Sequence, residues 1–503
     1  MSAEPSTESP TSKDPAWATF AFASILVGYG ILAGIVAFNK LPWCDEGWYG
    51  APALNLVKNG SMGTPNFYYG RLPGIIDYTY WEMPGFILVL AAWFKAVGGG
   101  LLQARALTCI LGAGVLVLWW GVLRRLGASV WERAVAMALI ATDQYFILDA
   151  TYARADMQSL LLLSGALWLY LRYRSKSFTR AIVLANVAVA AAALTHPNAG
   201  LLALAALGVL ALPDIRRLRW YDLPLAALPY VIGGTLWWLY IRQAPDLFAA
   251  QFSANAGGRF NAILSPLDSI WSEITRRYLL AFGLGAHSSG TPKLVVLKAA
   301  GLLAWVCGVL ACLVIRPLRE QHLTRVLLAW LGLDVLYLTF FEGTRTTTYL
   351  IWLVPIFCAV VALWVVHEWH QRSVRRWPAT AIVGLAMAVQ GGTSLAKARL
   401  QWGMRPFHEA VQYLQAQGRD RPIVASIEFG YVLGFTPGAF YDDVSLGAWS
   451  RIRPGYVVLE DRYREWLPEP RGKVPEEVRA AARKLRTSCA TTFDNTYYTI
   501  YRC

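Results

Sequence analysis

The sequence predicts a polytopic α-helical membrane protein of about eleven spans with a small α/β domain at its C-terminal end. Three observations predict it. The 503 residues are 56% hydrophobic and only 16% charged, with mean hydropathy +0.39, too apolar throughout for a soluble enzyme. Apolar runs of spanning length recur from residue 17 to residue 396 and then stop. The basic residues fall in short clusters between alternate runs. That clustering also explains the net charge of +14 without nucleic acid, which binds a continuous basic face.

In chain order, residues 1–16 are polar and read as a disordered cytoplasmic tail. The first run, 17–38, lacks a basic n-region and a small-residue cleavage site, so it is expected to stay as a signal anchor. Ten further runs follow at 104–123, 133–148, 157–171, 181–195, 199–212, 223–241, 294–315, 325–341, 349–366 and 379–396. Arg124, Arg125 and Arg133, then Arg172 to Arg180, Arg216 to Arg219, Arg316 to Arg325 and Arg372 to Arg376 mark the cytoplasmic loops. The loops 41–100 and 242–292, and the tail 397–503, then lie outside a plasma (inner) membrane.

Residues 81–95, with Trp and Lys flanks and a Gly98-Gly99-Gly100 end, suit a helix lying in the interface better than one crossing it. Gly257 and Gly258 are expected to form a tight, mobile turn that presents Arg259, as in a lid or substrate loop. In the tail, strand-like runs at 423–426, 456–459 and 491–501 alternate with helical patterns at 405–417 and 476–486. Cys489 and Cys503 bracket the last of these, where a disulfide is permitted.

The candidate site residues gather on the outer side. Asp45 and Glu46 follow the first span, in a segment flanked by Trp48 and Tyr49, and Glu82 precedes the interfacial helix. Arg154 and Asp156 open the fourth span; two apart, they would point differently on a helix. His196, Arg345 and Tyr349 lie in the later outer loops, although a lone histidine before proline is ordinarily a helix-end residue. Carboxylates beside arginines suit displacement at a sugar carbon that bears a lipid phosphate. One acid takes the proton of an acceptor hydroxyl while cations offset the departing phosphate. A single base with departure from the opposite face inverts the anomeric centre.

On the Asp-Glu pair, the interfacial helix, the Arg-x-Asp opening of the fourth span and the soluble tail, the chain resembles the GT-C superfamily of lipid-phosphate-sugar glycosyltransferases. Its branch of protein O-mannosyltransferases and the lipid A aminoarabinose transferase is the most similar. The resemblance implies a polyprenyl-phosphate-linked sugar donor, a hydroxyl acceptor on a protein, glycolipid or glycan, and no cofactor or metal. Asp45 matches the catalytic acid, Glu46 its neighbour, Asp156 the second-loop acid and Glu82 the acid before the interfacial helix. Where the aminoarabinose branch has a lysine this chain has Met83, which shifts phosphate binding onto Arg154, Arg259 or Arg345. A transporter or flippase of a phosphate-bearing lipid is the alternative, opposed by the absence of a clear internal repeat and by charges gathered at one face.

Overall fold

The computed structural model describes residues 14–68, 72–260, 265–284, 292–401, 403–417, 421–447, 449–461 and 476–503. Most of the expected cytoplasmic tail lies outside the described residues.

Helix α1 (Ala16–Asn39) is followed by α2 (Cys44–Asn59), a short strand β1 (Phe67–Tyr68), and α3 (Pro84–Val97). The bundle continues through α4 (Leu101–Arg125), α5 (Val130–Thr142), α6 (Gln144–Ala150), α7 (Ala155–Tyr173), α8 (Phe178–Thr195), α9 (Pro197–Ala211) and α10 (Asp222–Ile241). Then come α11 (Pro245–Phe260), α12 (Pro266–Ser272), α13 (Pro292–Val314), α14 (Arg316–Arg319), α15 (His322–Phe340), α16 (Val354–His370) and α17 (Arg376–Ala396). Among the described residues seven helices are long and apolar enough to cross a membrane: α1, α4, α8, α9 with its 3-10 extension to Arg217, α10, α15 and α17. The chain is a polytopic helical membrane protein.

Two of the expected spans are interrupted. The third breaks at Asp143, whose Oδ1 accepts hydrogen bonds from Tyr145 N (2.8 Å) and Phe146 N (3.1 Å) and so caps α6. The tenth starts as a 3-10 turn, Thr347–Trp352, before α16. An interfacial helix was expected near residues 81–95, and α3 there has 14 residues, about 21 Å of helix and short of a bilayer core. The basic loops meet at one end of the bundle. There Asp14 pairs with Arg133 at 2.7 Å, and Arg217 Nη2 donates to Arg174 O at 2.7 Å.

At the opposite end, the loop after α1 and the C-terminal segment form one body. The latter comprises α18 (Arg405–Ala416), β2 (Ile423–Val424), α19 (Gly430–Leu433), β3 (Asp442–Asp443), β4 (Tyr456–Glu460), α20 (Glu476–Ser488), β5 (Ala490–Asp494) and β6 (Tyr498–Arg502). The sheet order is β2-β4-β6-β5, with β2 and β4 parallel and the remaining pairs antiparallel. Cys489 and Cys503 are disulfide-bonded, Cα to Cα 4.4 Å, and close the β5–β6 hairpin. Strand β1 pairs in parallel with β3, Phe67 against Asp442. Buried residues of α2 and α3 (Leu54, Phe86, Leu90) share one core with Phe407, Ile427, Phe429 and Tyr498. The tail is therefore built onto the segment between α1 and α4 rather than hung beside it.

Two glycines make that seating possible. A Cβ on Gly47 would stand 2.8 Å from the Glu428 backbone nitrogen, and one on Gly50 would stand 2.2 Å from the Tyr431 hydroxyl oxygen. Tyr431 OH donates in turn to Glu46 O at 2.8 Å. Gly47→Ala is expected to lower unfolding stability by about 1–3 kcal/mol through overpacking against backbone. Denaturant unfolding in detergent checks this, and an unchanged midpoint would show that α2 can lift from the tail freely.

Candidate active site

Asp45 and Glu46 lie in the first turn of α2, a helix the sequence analysis did not place there. Acidic side chains suit a helix N-terminus, where unpaired N–H groups and the helix dipole face them. The turn sends the two carboxylates in different directions, and their surroundings divide their work.

Glu46 is fully buried. Arg105 Nε and Nη2 grip its two oxygens at 2.8 and 2.7 Å, while Trp43 N (3.0 Å) and Ala153 N (3.2 Å) donate to the same carboxylate. Arg105 Nη1 also binds the carbonyls of Ala37 (2.7 Å) and Lys40 (2.8 Å) at the end of α1. Burial alone would raise the Glu46 carboxyl, but Arg105, Lys40 and the Trp43 N–H together hold it below its ordinary value. Glu46 was expected among the catalytic acids, and the structure places its carboxylate where it locks α2 to α1, α4 and the α6–α7 turn. Arg105 was missed, and its signal was legible, since an arginine inside the run 104–123 needs a buried partner.

Asp45 keeps 19% of its side chain exposed and meets Arg154 Nη1 at 3.2 Å. Arg154 is the extended residue before α7, and its Nε meets Asp156 Oδ2 at 3.1 Å. The expected divergence of Arg154 and Asp156 fails because Arg154 is not in the helix, which lets its side chain fold back over the first turn. Asp156 is 2% exposed, with Oδ2 on the arginine and Oδ1 buried without a hydrogen-bond partner.

Glu82 approaches from the segment before α3, and Tyr49 OH donates to its Oε2 at 2.7 Å. Burial pushes the Glu82 carboxyl up to about 7, against the lowering pull of the Tyr49 bond, Arg259 and Arg154. Trp48 lies edge-on to Trp81 at 5.0 Å and fills the wall between α2 and the tail.

Gly257 and Gly258 do not form a turn. They continue α11, and the helical spacing aligns Gln251, Asn255 and Arg259 on one face. Gln251, fully buried, accepts from Tyr80 N (2.8 Å) and donates to Pro73 O (2.8 Å) and Tyr78 O (2.9 Å). Asn255 donates to Trp81 O and accepts from Arg259 Nη2, and Arg259 Nη1 donates to Tyr349 OH at 2.7 Å. This face of α11 holds the segment that carries Glu82, and the amides that do so were not singled out in the sequence.

Arg345 is placed otherwise than expected. Its backbone is left-handed, φ 51°, and its guanidinium donates to Glu342 O (2.6 Å) and Thr339 O (3.0 Å) at the end of α15. Those bonds tie Nη1 and Nη2 to the last turn of α15, while Nε is buried without a hydrogen-bond partner. A second arginine, Arg277, is buried against Glu273 (2.7 Å) and Glu342 (2.6 Å) and fixes the same loop. Of the three expected phosphate cations, Arg154 is ion-paired with Asp45 and Asp156 and Arg345 is 4% exposed, whereas Arg259 is partly exposed with neutral direct partners, so its charge is the one most open to an anion. His196 caps the start of α9, its ring 5.2 Å from Tyr349 and 4.8 Å from Trp352. Burial lowers the imidazole to about 4, so it is neutral at physiological pH and packs as an aromatic ring. Among the described residues no group of three or more His, Cys, Asp or Glu side chains is arranged to hold a metal ion.

The fold recurs in solved structures. ArnT from Cupriavidus metallidurans bound to undecaprenyl phosphate is 15% identical, matching 97% of this chain and 98% of that one with a TM-score of 0.60. The chain has the GT-C fold. The same ArnT in the apo state gives 0.59 at 14% identity over 96% of this chain and 97% of that one. AglB, the Archaeoglobus fulgidus oligosaccharyltransferase, in complex with an inhibitory peptide and a dolichol-phosphate, gives 0.56 at 13% identity over 90% and 70%. No protein-family model and no curated protein matches the sequence. The GT-C resemblance carried by the acidic pair and the interfacial helix is thus met in three dimensions, at an identity where only the fold is shared.

Proposed function

We propose that this protein is an inverting glycosyltransferase that moves a sugar from a polyprenyl-phosphate donor to a hydroxyl acceptor at the extracytoplasmic face of the membrane. The observation that carries the reading is Asp45, a partly exposed carboxylate steadied by Arg154 beside the acid Glu82 and the free charge of Arg259. Solved structures of the same fold with undecaprenyl phosphate or a dolichol-phosphate support a lipid-phosphate donor.

In this reading Asp45 takes the acceptor hydroxyl's proton as its oxygen bonds to the anomeric carbon. The carbon–phosphate oxygen bond breaks on the opposite face, and the phosphate leaves with the electron pair toward Arg259. Asp156 holds Arg154, and Tyr49 and Glu82 align the acidic side of the site. The test is turnover by purified protein of radiolabelled polyprenyl-phosphate sugars, with native membrane extract as acceptor pool. Label is expected in an acceptor, with the opposite anomeric configuration. Donor bound but never consumed would support the transporter alternative.

Glu82 gives the rate a pH limb. With its carboxyl at about 7, it loses its charge as pH falls through neutrality and with it the attraction for Arg259 and the full strength of the Tyr49 hydrogen bond. Transfer is expected to decline below pH 7 in the wild type. In Glu82→Gln it should be about tenfold slower and flat across that range, the equivalent of one charge-assisted hydrogen bond. An unaltered limb in the variant would assign the titration to another group.

A further inference from the structure

A cavity of about 560 Å³ lies apart from the acidic cluster, among the end of α2, the segment after it, α3 and the outer end of α10. Its walls include Leu56, Asp77, Tyr78, Leu88, Tyr240 and Gln243. The volume falls within the range of small-molecule sites, yet the lining is not that of a lipid-tail channel. A carboxylate and an amide, both exposed, face two tyrosine rings, and the rings belong to a packed ladder. Tyr78 stacks on Tyr80 at 5.5 Å and 2°, and Tyr80 lies 4.8 Å from Tyr240.

Flat aromatic faces beside acid and amide groups match one ligand chemistry well, that of a sugar ring. Its C–H face packs on an aromatic ring while its edge hydroxyls donate to a carboxylate and exchange bonds with an amide.

Two connections tie the cavity to the acidic cluster. Leu56 lies seven residues after Tyr49 on α2, so both stand on one helix face about 10 Å apart along the axis. Tyr78 lies four residues before Glu82 on the segment that Gln251 and Asn255 fix to α11. The cavity is bordered by Leu88, which is half exposed, and by the end of α10, the least buried of the spanning helices.

We propose that this cavity is a glycan subsite, which holds sugar residues of the acceptor next to the one whose hydroxyl reaches Asp45. The acceptor is then an oligosaccharide rather than a lone hydroxyl on a polypeptide. This rests on the transferase reading above and adds to it the class of acceptor.

The test compares the wild type with an Asp77→Asn/Gln243→Ala double variant and with Tyr240→Leu. Two tritiated probes are used: glycan-bearing lipids extracted from the native membrane, and water-soluble glycans released from them by mild acid. Equilibrium retention of each probe by detergent-solubilised protein is measured first, and needs no turnover. Retention is expected to weaken at least tenfold in both variants. In the transfer assay the acceptor KM should rise by a similar factor, with the donor KM as internal reference.

If soluble and lipid-borne glycans behave alike, the cavity reads the glycan alone. If only the lipids are retained, and lost in the variants, glycan and membrane anchor act together. Equal retention in wild type and both variants overturns the proposal, as does a wild type that labels only glycan-free polypeptide. Absence of transfer with retention intact and variant-sensitive would instead remove the transferase reading and leave the glycan site standing.

Discussion

Asp45→Asn is expected to lower transfer by about 10³-fold while leaving donor binding and unfolding stability near those of the wild type. General-base catalysis contributes roughly 10²–10⁴, and the amide has the shape of the acid without its capacity to accept a proton. The side chain makes a single ion pair, to Arg154 at 3.2 Å, and Arg154 retains Asp156 at 3.1 Å when that pair is weakened. A partly exposed pair of this kind is worth about 1 kcal/mol or less. A variant with full transfer would remove Asp45 as the base, and one that fails to fold would show that its pairing with Arg154 is structural.

Glu46→Gln presents the opposite profile one residue along the chain. Both partners of the Glu46–Arg105 pair are 0% exposed, and four hydrogen bonds converge on the carboxylate. Removing one member of such a pair leaves a buried charge without compensation, which costs about 3–5 kcal/mol. The variant is expected to unfold at much lower denaturant, and Arg105→Met to do the same. The double variant should recover part of the loss, because both charges then leave together. Single variants as stable as the wild type, or strictly additive losses, would show that the pair does not secure α2.

Membrane class and the ladder of apolar runs were legible because they rest on residue chemistry summed over many positions. The basic loops were legible for the same reason. What the sequence hid was local. Whether Asp45 begins a helix depends on an N-terminal turn held by Arg105, some sixty residues away. Gly257-Gly258 reads as a turn in isolation, yet Gln251 and Asn255 form tertiary bonds that keep α11 helical through both glycines. Arg345 carries the same charge as Arg259, and only the fold shows that it is 4% exposed with both Nη atoms bonded to the end of α15. The candidate residues were singled out by type, and burial is what distinguishes them from one another.

The pairing of Phe67 with Asp442 joins parts of the chain that emerge from the ribosome far apart in time. All the spanning helices precede the tail in the chain, but the Gly47 and Gly50 face of α2 lacks Glu428 and Tyr431 until the tail arrives. Contacts so distant in sequence form late, since the entropy of closing the intervening chain must be met first. Synthesis order thus acts as a check on completeness. A chain cut short before the tail would keep the ion pairs that tie Asp45 and Glu46 to the bundle yet leave the Gly47 and Gly50 face of α2 uncovered.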